Sequence, residues 1–234
     1  MKLVRRLARR FRPMLPASHD DPARNRGCTE PEVDNWQLSQ FILQKIVPVV
    51  GIHPFPLHEL MLMAATVCSF RPPQIFEWGT HVGKSARIFH ECITHFRILA
   101  EIHSIDLPDD VSHVEHPEGA RGEYVLGLEN VHLHQGDGLE ASLSLWKELG
   151  ARSGVLFFVD GDHEYSSVHR ELSGILREVP GAIVLAHDTF YQSASSGYNI
   201  GPHRAISDVL SKHSGYRRFE SGLGLPGMTL LYRL

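Results

Sequence analysis

The chain has 234 residues, 42% of them hydrophobic and 21% charged, enough to bury a core as one domain or as one domain with an extension. No stretch approaches the roughly 18 to 20 uninterrupted apolar residues of a membrane-spanning helix. Cys28, Cys68 and Cys92 are too widely spaced for a disulfide framework or a Cys-x-x-Cys zinc site, so a soluble body in a reducing, cytoplasmic compartment is expected. The net charge of -4 hides an asymmetry: the first 26 residues carry eight Lys or Arg against two Asp, leaving the remainder at -10 and a poor nucleic-acid footprint.

In chain order, the first element is a basic arm. Leu3, Leu7 and Phe11 make a narrow apolar stripe opposite arginines at helical spacing. That pattern suits weak contact of residues 1 to 12 with an anionic membrane surface, an organellar transit peptide, or a solvated tail. Residues 13 to 35, rich in Pro, Asp, Arg and Asn, read as a flexible linker, so residues 1 to 35 form an arm and 36 to 234 the folded domain.

Two apolar helical segments, 36 to 47 and 57 to 70, make an N-terminal extension before the first strand. Strands and helices then alternate. Strand 74 to 78 leads to a helix from Lys84, strand 98 to 106 to a helix over 122 to 128, and strand 131 to 135 to helix 139 to 149. Strand 155 to 160, helix 165 to 178, strand 182 to 187, helix 203 to 213 and two final runs, 216 to 220 and 228 to 233, complete the chain. Strands separated by helices imply parallel crossovers, hence a doubly wound α/β sheet of seven strands with helices on both faces. Residues 221 to 227 are too few for a helical crossover, so the last two strands should form an antiparallel hairpin at the sheet edge.

Open α/β sheets bind ligands beyond the carboxyl ends of their strands. The first strand ends Glu77-Trp78-Gly79-Thr80-His81-Val82-Gly83-Lys84-Ser85, where glycines permit a tight turn into a helix N-terminus with free N–H donors. A Walker phosphate loop needs four residues between its first glycine and Gly-Lys-Ser; Gly79 and Gly83 enclose three, which argues against a kinase or NTPase.

Glu77-x-Gly79-Thr80-x-x-Gly83-x-Ser85 instead resembles the cofactor loop of class I S-adenosylmethionine-dependent methyltransferases. The second strand ends at Asp106, placed to meet ribose hydroxyls, and the third is followed by Gly136-Asp137-Gly138, which resembles the turn beside the adenine in that family. Taken singly, these are ordinary turn residues. Their order and spacing together carry the likeness, which implies a Rossmann-like methyltransferase fold with Glu77, Gly79, Thr80, Gly83, Ser85, Asp106, Asp137 and Asp160 lining the S-adenosylmethionine.

The most informative segment is Val155 to Tyr165, an apolar strand that ends in Asp160-Gly161-Asp162-His163. Twenty-eight residues after Asp160 the next strand ends Ala186-His187-Asp188. On neighbouring strands about 4.8 Å apart, Asp160 and Asp188 converge on one hard divalent ion, Mg²⁺ by preference for oxygen. The pair resembles the metal-dependent O-methyltransferase branch, which includes antibiotic-pathway enzymes that methylate sugar hydroxyls and the cephalosporin-hydroxylase-like proteins. The likeness spans residues 57 to 233 and implies Asp160 and Asp188 as ligands and His163 as the general base. Where several relatives carry an acid, this chain has His187, so the third ligand is that imidazole, a water, or absent.

These parts suit methyl transfer to a hydroxyl of a small molecule: a sugar, polyol or phenol. A divalent ion orients the nucleophile and lowers its pKa, and a histidine accepts the proton. Asp162 reads as a helix-capping acid. Two alternatives remain: a GT-A-like glycosyltransferase built on Asp160-x-Asp162, which leaves the glycine loop and Asp188 unexplained, and a non-catalytic α/β binding module; a His187-Asp188 phosphohydrolase fails because that dyad belongs to all-helical folds. Residues 191 to 201 form a substrate loop or a plain surface loop, with Phe190 and Tyr191 available to an acceptor ring. A homo-oligomer is compatible with the sequence and not required by it.

Overall fold

The computed structural model describes residues 21–23, 30–111 and 121–233. A helical run opens at α1 (Asn35–Phe41), capped by the Asp34 carboxylate, passes through a π-helical turn at Ile42–Ile46, and closes with α2 (Val47–Val50). Next comes α3 (Leu57–Phe70), started at Pro56 and stopped by Arg71 in the left-handed conformation. The body follows as β1 (Gln74–Trp78), α4 (Lys84–His95), β2 (Glu101–Asp106), β3 (Val131–Gln135), α5 (Gly138–Glu148), β4 (Leu156–Val159) and α6 (Tyr165–Glu178). Last are β5 (Ile183–His187), α7 (Ile200–Lys212), β6 (Arg217–Glu220) and β7 (Met228–Tyr232).

The seven strands form one sheet in the order β3-β2-β1-β4-β5-β7-β6, parallel except for β7, which runs antiparallel to both β5 and β6. The expected hairpin is present, with its second strand inserted between β5 and β6 so that β6 takes the edge. Burial explains this placement: every residue of β7 is buried, whereas β6, Arg-Arg-Phe-Glu, is largely exposed. Strands β1, β4 and β5 are buried throughout, as a sheet covered on both faces requires. One face packs against α1, α3 and α4 through Leu60, Met63, Ile75, Phe89 and Phe158; the other packs against α5, α6 and α7 through Phe76, Phe157, Leu172, Ile175 and Ile206.

Three expectations shift. The strand expected from residue 98 starts at Glu101, because Arg97 has φ +52 and Ile98 N–H bonds the Ile93 carbonyl, which makes 97–100 the exit of α4. The helix expected at 122–128 is only a 3₁₀ turn at Glu123–Val125 between two positive-φ glycines, Gly122 and Gly127. Its amides serve another purpose: Gly122 N–H bonds the His81 carbonyl and Tyr124 N–H bonds that of Val82, so the segment roofs the glycine loop. Helix α7 starts at Ile200, three residues before the expected point. Of the arm and linker, residues 1–20 and 24–29 lie outside the described residues, so the basic stripe and Cys28 do too. Ala23 bridges Val33, Asp21 pairs with Arg71, and Glu30 reaches Arg217 and Tyr232. Among the described residues no helix is long and apolar enough to cross a membrane.

Candidate active site at the carboxyl ends of the strands

The strand order reverses between β1 and β4, so their carboxyl ends flank the crevice where such sheets bind ligands. Gly79 follows β1 with φ +89, and a Cβ there would lie 2.6 Å from the Asp160 carbonyl oxygen. Only glycine lets the loop pass this close to the end of β4. Gly83, with φ +88, closes the turn by bonding the Thr80 carbonyl, then starts α4 with Lys84 and Ser85.

Beneath the loop lies a small polar core. Glu77 is fully buried; its Oε1 accepts from Ser104 Oγ at 2.5 Å, and Ser104 meets Thr80 Oγ1 at 2.7 Å. Burial lifts the Glu77 carboxyl to about 7, against the pull of the Ser104 and Ser85 hydroxyls. Its Oε2 is buried without a hydrogen-bond partner. Asp106 ends β2, accepting from His81 N–H through Oδ2 (3.1 Å) and from Leu107 N–H through Oδ1 (2.8 Å), with Arg121 at 3.4 Å. Asp137 has a structural task as well: it caps α5 through Glu140 N–H and pairs with Arg170 of α6 at 2.6 Å. The glycine loop, Asp106 and the orphaned Glu77 oxygen thus lie on the β1–β2 side.

On the β4–β5 side, Asp160, His187 and Asp188 offer one ligand atom each, all within 4.8 Å of one another. His187 Nδ1 lies 2.9 Å from Asp160 Oδ1 and 3.4 Å from Asp188 Oδ2. Its Nε2 lies 3.0 Å from Glu59 Oε2, a fully buried acid on α3. Burial opposes a charge on this imidazole, but the Asp160 charge and hydrogen bonds to Asp160, Asp188 and Glu59 prevail and push its pKa up to about 12. The charged form of the ring is thus favoured beside Asp160, Asp188 and Glu59, and a divalent ion would take the place of its Nδ1 proton. Neighbouring donors on an ion with bonds of about 2.1 Å lie about 3 Å apart, close to the 2.9 and 3.4 Å that separate His187 Nδ1 from the two aspartates.

Asp188 sits at φ +55, uncommon for a residue with a Cβ and a form of strain concentrated at functional sites. Burial raises its pKa, but hydrogen bonds from His163 and His187 outweigh that and hold it well below the carboxylate range. His163 Nε2 lies 3.0 Å from Asp188 Oδ2, and Tyr198 donates to Oδ1 at 3.2 Å. Both border a cavity of about 610 Å³ that Tyr165, Asn199 and Gly201 also line. The end of the 191–201 loop, residues 197–201, therefore walls this cavity. Tyr191, one of two aromatics available to an acceptor ring, is stacked on His203 at 4.4 Å.

Asp162 turns away, accepting from Glu164 N–H at 3.0 Å, as a helix-entry acid does. Asp162 is not part of the Asp160, His187 and Asp188 group. Glu59 is the residue that reading strand ends missed. Its sole trace in the sequence is one acid in the apolar run Leu57–Phe70.

Residues 76–189 match the profile of a family described as a methyltransferase domain, while no curated protein matches the chain. Solved structures resemble it at low identity. An O-methyltransferase from Bacillus cereus in complex with SAH has a TM-score of 0.58 at 14% identity over 86% of this chain and 92% of that one. TomG, the O-methyltransferase from Streptomyces achromogenes involved in tomaymycin synthesis, in complex with SAM, gives 0.54 at 18% over 86% and 91%. CalS11, the TDP-rhamnose 3'-O-methyltransferase of calicheamicin biosynthesis, gives 0.55 at 15% over 83% and 86%. Residues 76–189 thus match a methyltransferase-domain profile, and the seven-stranded fold is shared with the O-methyltransferase structures that it resembles.

Proposed function

We propose that the protein is an S-adenosylmethionine-dependent O-methyltransferase acting on a hydroxyl of a small molecule, with a divalent ion at Asp160, His187 and Asp188 and His163 as the general base. The observation that carries this reading is the convergence of those four side chains beside a cavity, one strand away from the Gly79 crevice. The cofactor fits the β1–β2 side: Gly79 to Gly83 and Ser85 would border it, Asp106 would accept from its ribose, and the Asp137 turn would flank its base. SAM and SAH in the matching structures support this choice.

When bound, the ion supplies Lewis-acid activation of a hydroxyl and S-adenosylmethionine supplies the methyl group. Asp160, His187 and Asp188 fix the acceptor's position, and positioning dominates an in-line displacement. Held to Asp188 through Nε2, His163 would take the hydroxyl proton as general base. Tyr198 steadies Asp188 from the cavity side. CalS11 supports a sugar among the acceptors to screen first.

Calorimetry tests the cofactor. S-adenosylhomocysteine should bind, and Asp106→Ala should weaken it by roughly 1 to 3 kcal/mol. Binding of a nucleoside-diphosphate sugar with no response to S-adenosylhomocysteine would refute the assignment.

A further inference from the structure

We infer that Glu59 is a positioning residue of this site and that, with it, the site takes a first-row transition ion in preference to Mg²⁺. The inference rests on the divalent-ion part of the function proposed above. Glu59 stands on α3, outside the matched residues 76–189, and is separated from His187 by 128 positions. Both of its oxygens are engaged: Oε2 with His187 Nε2 at 3.0 Å, and Oε1 with the backbone N–H of Gly227 at 2.7 Å. Gly227 cannot drift, since its Cα hydrogens face Phe190 so closely that a Cβ would lie 2.3 Å from the Phe190 nitrogen.

A carboxylate on one imidazole nitrogen fixes the tautomer and makes the other nitrogen the donor, raising its basicity. Here Nε2–H points to Glu59 and Nδ1 faces Asp160 and Asp188. The ring has little room to turn, with Phe55 edge-on at 4.9 Å and Phe158 at 6.4 Å. The donor face is therefore one imidazole nitrogen and two carboxylates. Imidazole suits iron, cobalt, nickel and zinc, whereas Mg²⁺ favours oxygen.

The test uses the full-length protein stripped with chelator and titrated with Co²⁺, followed by its visible absorption and counted by elemental analysis. One Co²⁺ should bind with a band that Asp160→Asn abolishes and that a hundredfold excess of Mg²⁺ does not displace. Glu59→Gln should weaken Co²⁺ by about 10- to 100-fold while leaving S-adenosylhomocysteine affinity unchanged. Should that variant fold poorly, pulsed EPR of wild-type protein loaded with Mn²⁺ reads the same claim directly, as a coupling to one imidazole nitrogen. Displacement by Mg²⁺, unchanged Co²⁺ affinity in Glu59→Gln, or no nitrogen coupling would overturn the inference. If S-adenosylhomocysteine binds and no metal does, this inference falls together with the divalent-ion part of the proposed function while the methyltransferase reading stands; loss of both in the wild type removes that reading as well.

Discussion

The two halves of the sheet's carboxyl rim bury acids by opposite means. On the β1–β2 side Glu77 is alone with hydroxyls, and desolvation holds its carboxyl near 7, so it is easily neutralised. On the β4–β5 side Asp160, Asp188 and Glu59 surround one imidazole, and Asp188 stays ionised well below the usual range. The first arrangement avoids charge where a nucleoside cofactor would lie. The second concentrates negative charge on a small volume, which suits a cation. The difference is one of partners rather than burial, since Glu77 and Glu59 are both inaccessible.

That contrast is broken most severely at the ion cluster. Asp160→Asn and Asp188→Asn should abolish methyl transfer and its response to added metal while leaving S-adenosylhomocysteine affinity within about tenfold, because the cofactor crevice lies on neighbouring strands. Full activity of the wild type in chelator would contradict it. His163→Ala should keep both affinities and lose roughly 10²- to 10⁴-fold in turnover, measured with any acceptor found by screening; an undiminished rate would remove the base assignment alone.

A smaller effect separates the halves in stability. His187→Ala leaves three carboxylates facing one another without their cation and should cost about 3 to 5 kcal/mol, read by urea denaturation of the metal-free protein. A cost below about 1 kcal/mol would mean the cluster is not held by that ring. Gly79→Ala should weaken S-adenosylhomocysteine more than it lowers the melting temperature, since the added Cβ collides with the Asp160 carbonyl and pushes the loop outward; retained affinity would place the cofactor elsewhere.

Glu77 gives the pH-dependent test. Its carboxyl ionises at 4.5 without the fold and at about 7 within it, so the folded state holds the extra proton between those values. The stability it contributes is complete below about pH 4.5 and is lost as pH rises through about 7, on the order of 3 kcal/mol at about 1.4 kcal/mol per unit. Glu77→Gln should flatten the curve of denaturation midpoint against pH in that window. Glu171, raised to about 8 by burial, tilts both proteins alike, so the difference between them isolates Glu77.

Strand ends were legible because their chemistry is local. An apolar run followed by Asp160-Gly161 or by Asp188 announces a loop at the rim, and Gly79 and Gly83 announce a turn whatever surrounds them. The 122–128 segment was misread for the converse reason: its apolar pattern favoured a helix, but two positive-φ glycines and the open carbonyls of His81 and Val82 drew its amides away. The stack of Tyr191 on His203 was not legible, because an aromatic in a loop carries no sign of which neighbour it will cover.

The sequence by itself determined the alternation of strands and helices, the glycine loop, and the identity of the acids and histidines at the rim, since periodicity and turn chemistry act within a few residues. Only the tertiary structure decided that β7 enters between β5 and β6, that Asp137 caps a helix and binds Arg170, and that Glu59 reaches His187. The last is the clearest case: a hydrogen bond between residues 128 positions apart leaves no local pattern, because it forms only when α3 packs against β7 and brings Glu59 to the end of β5, where both groups are buried from water.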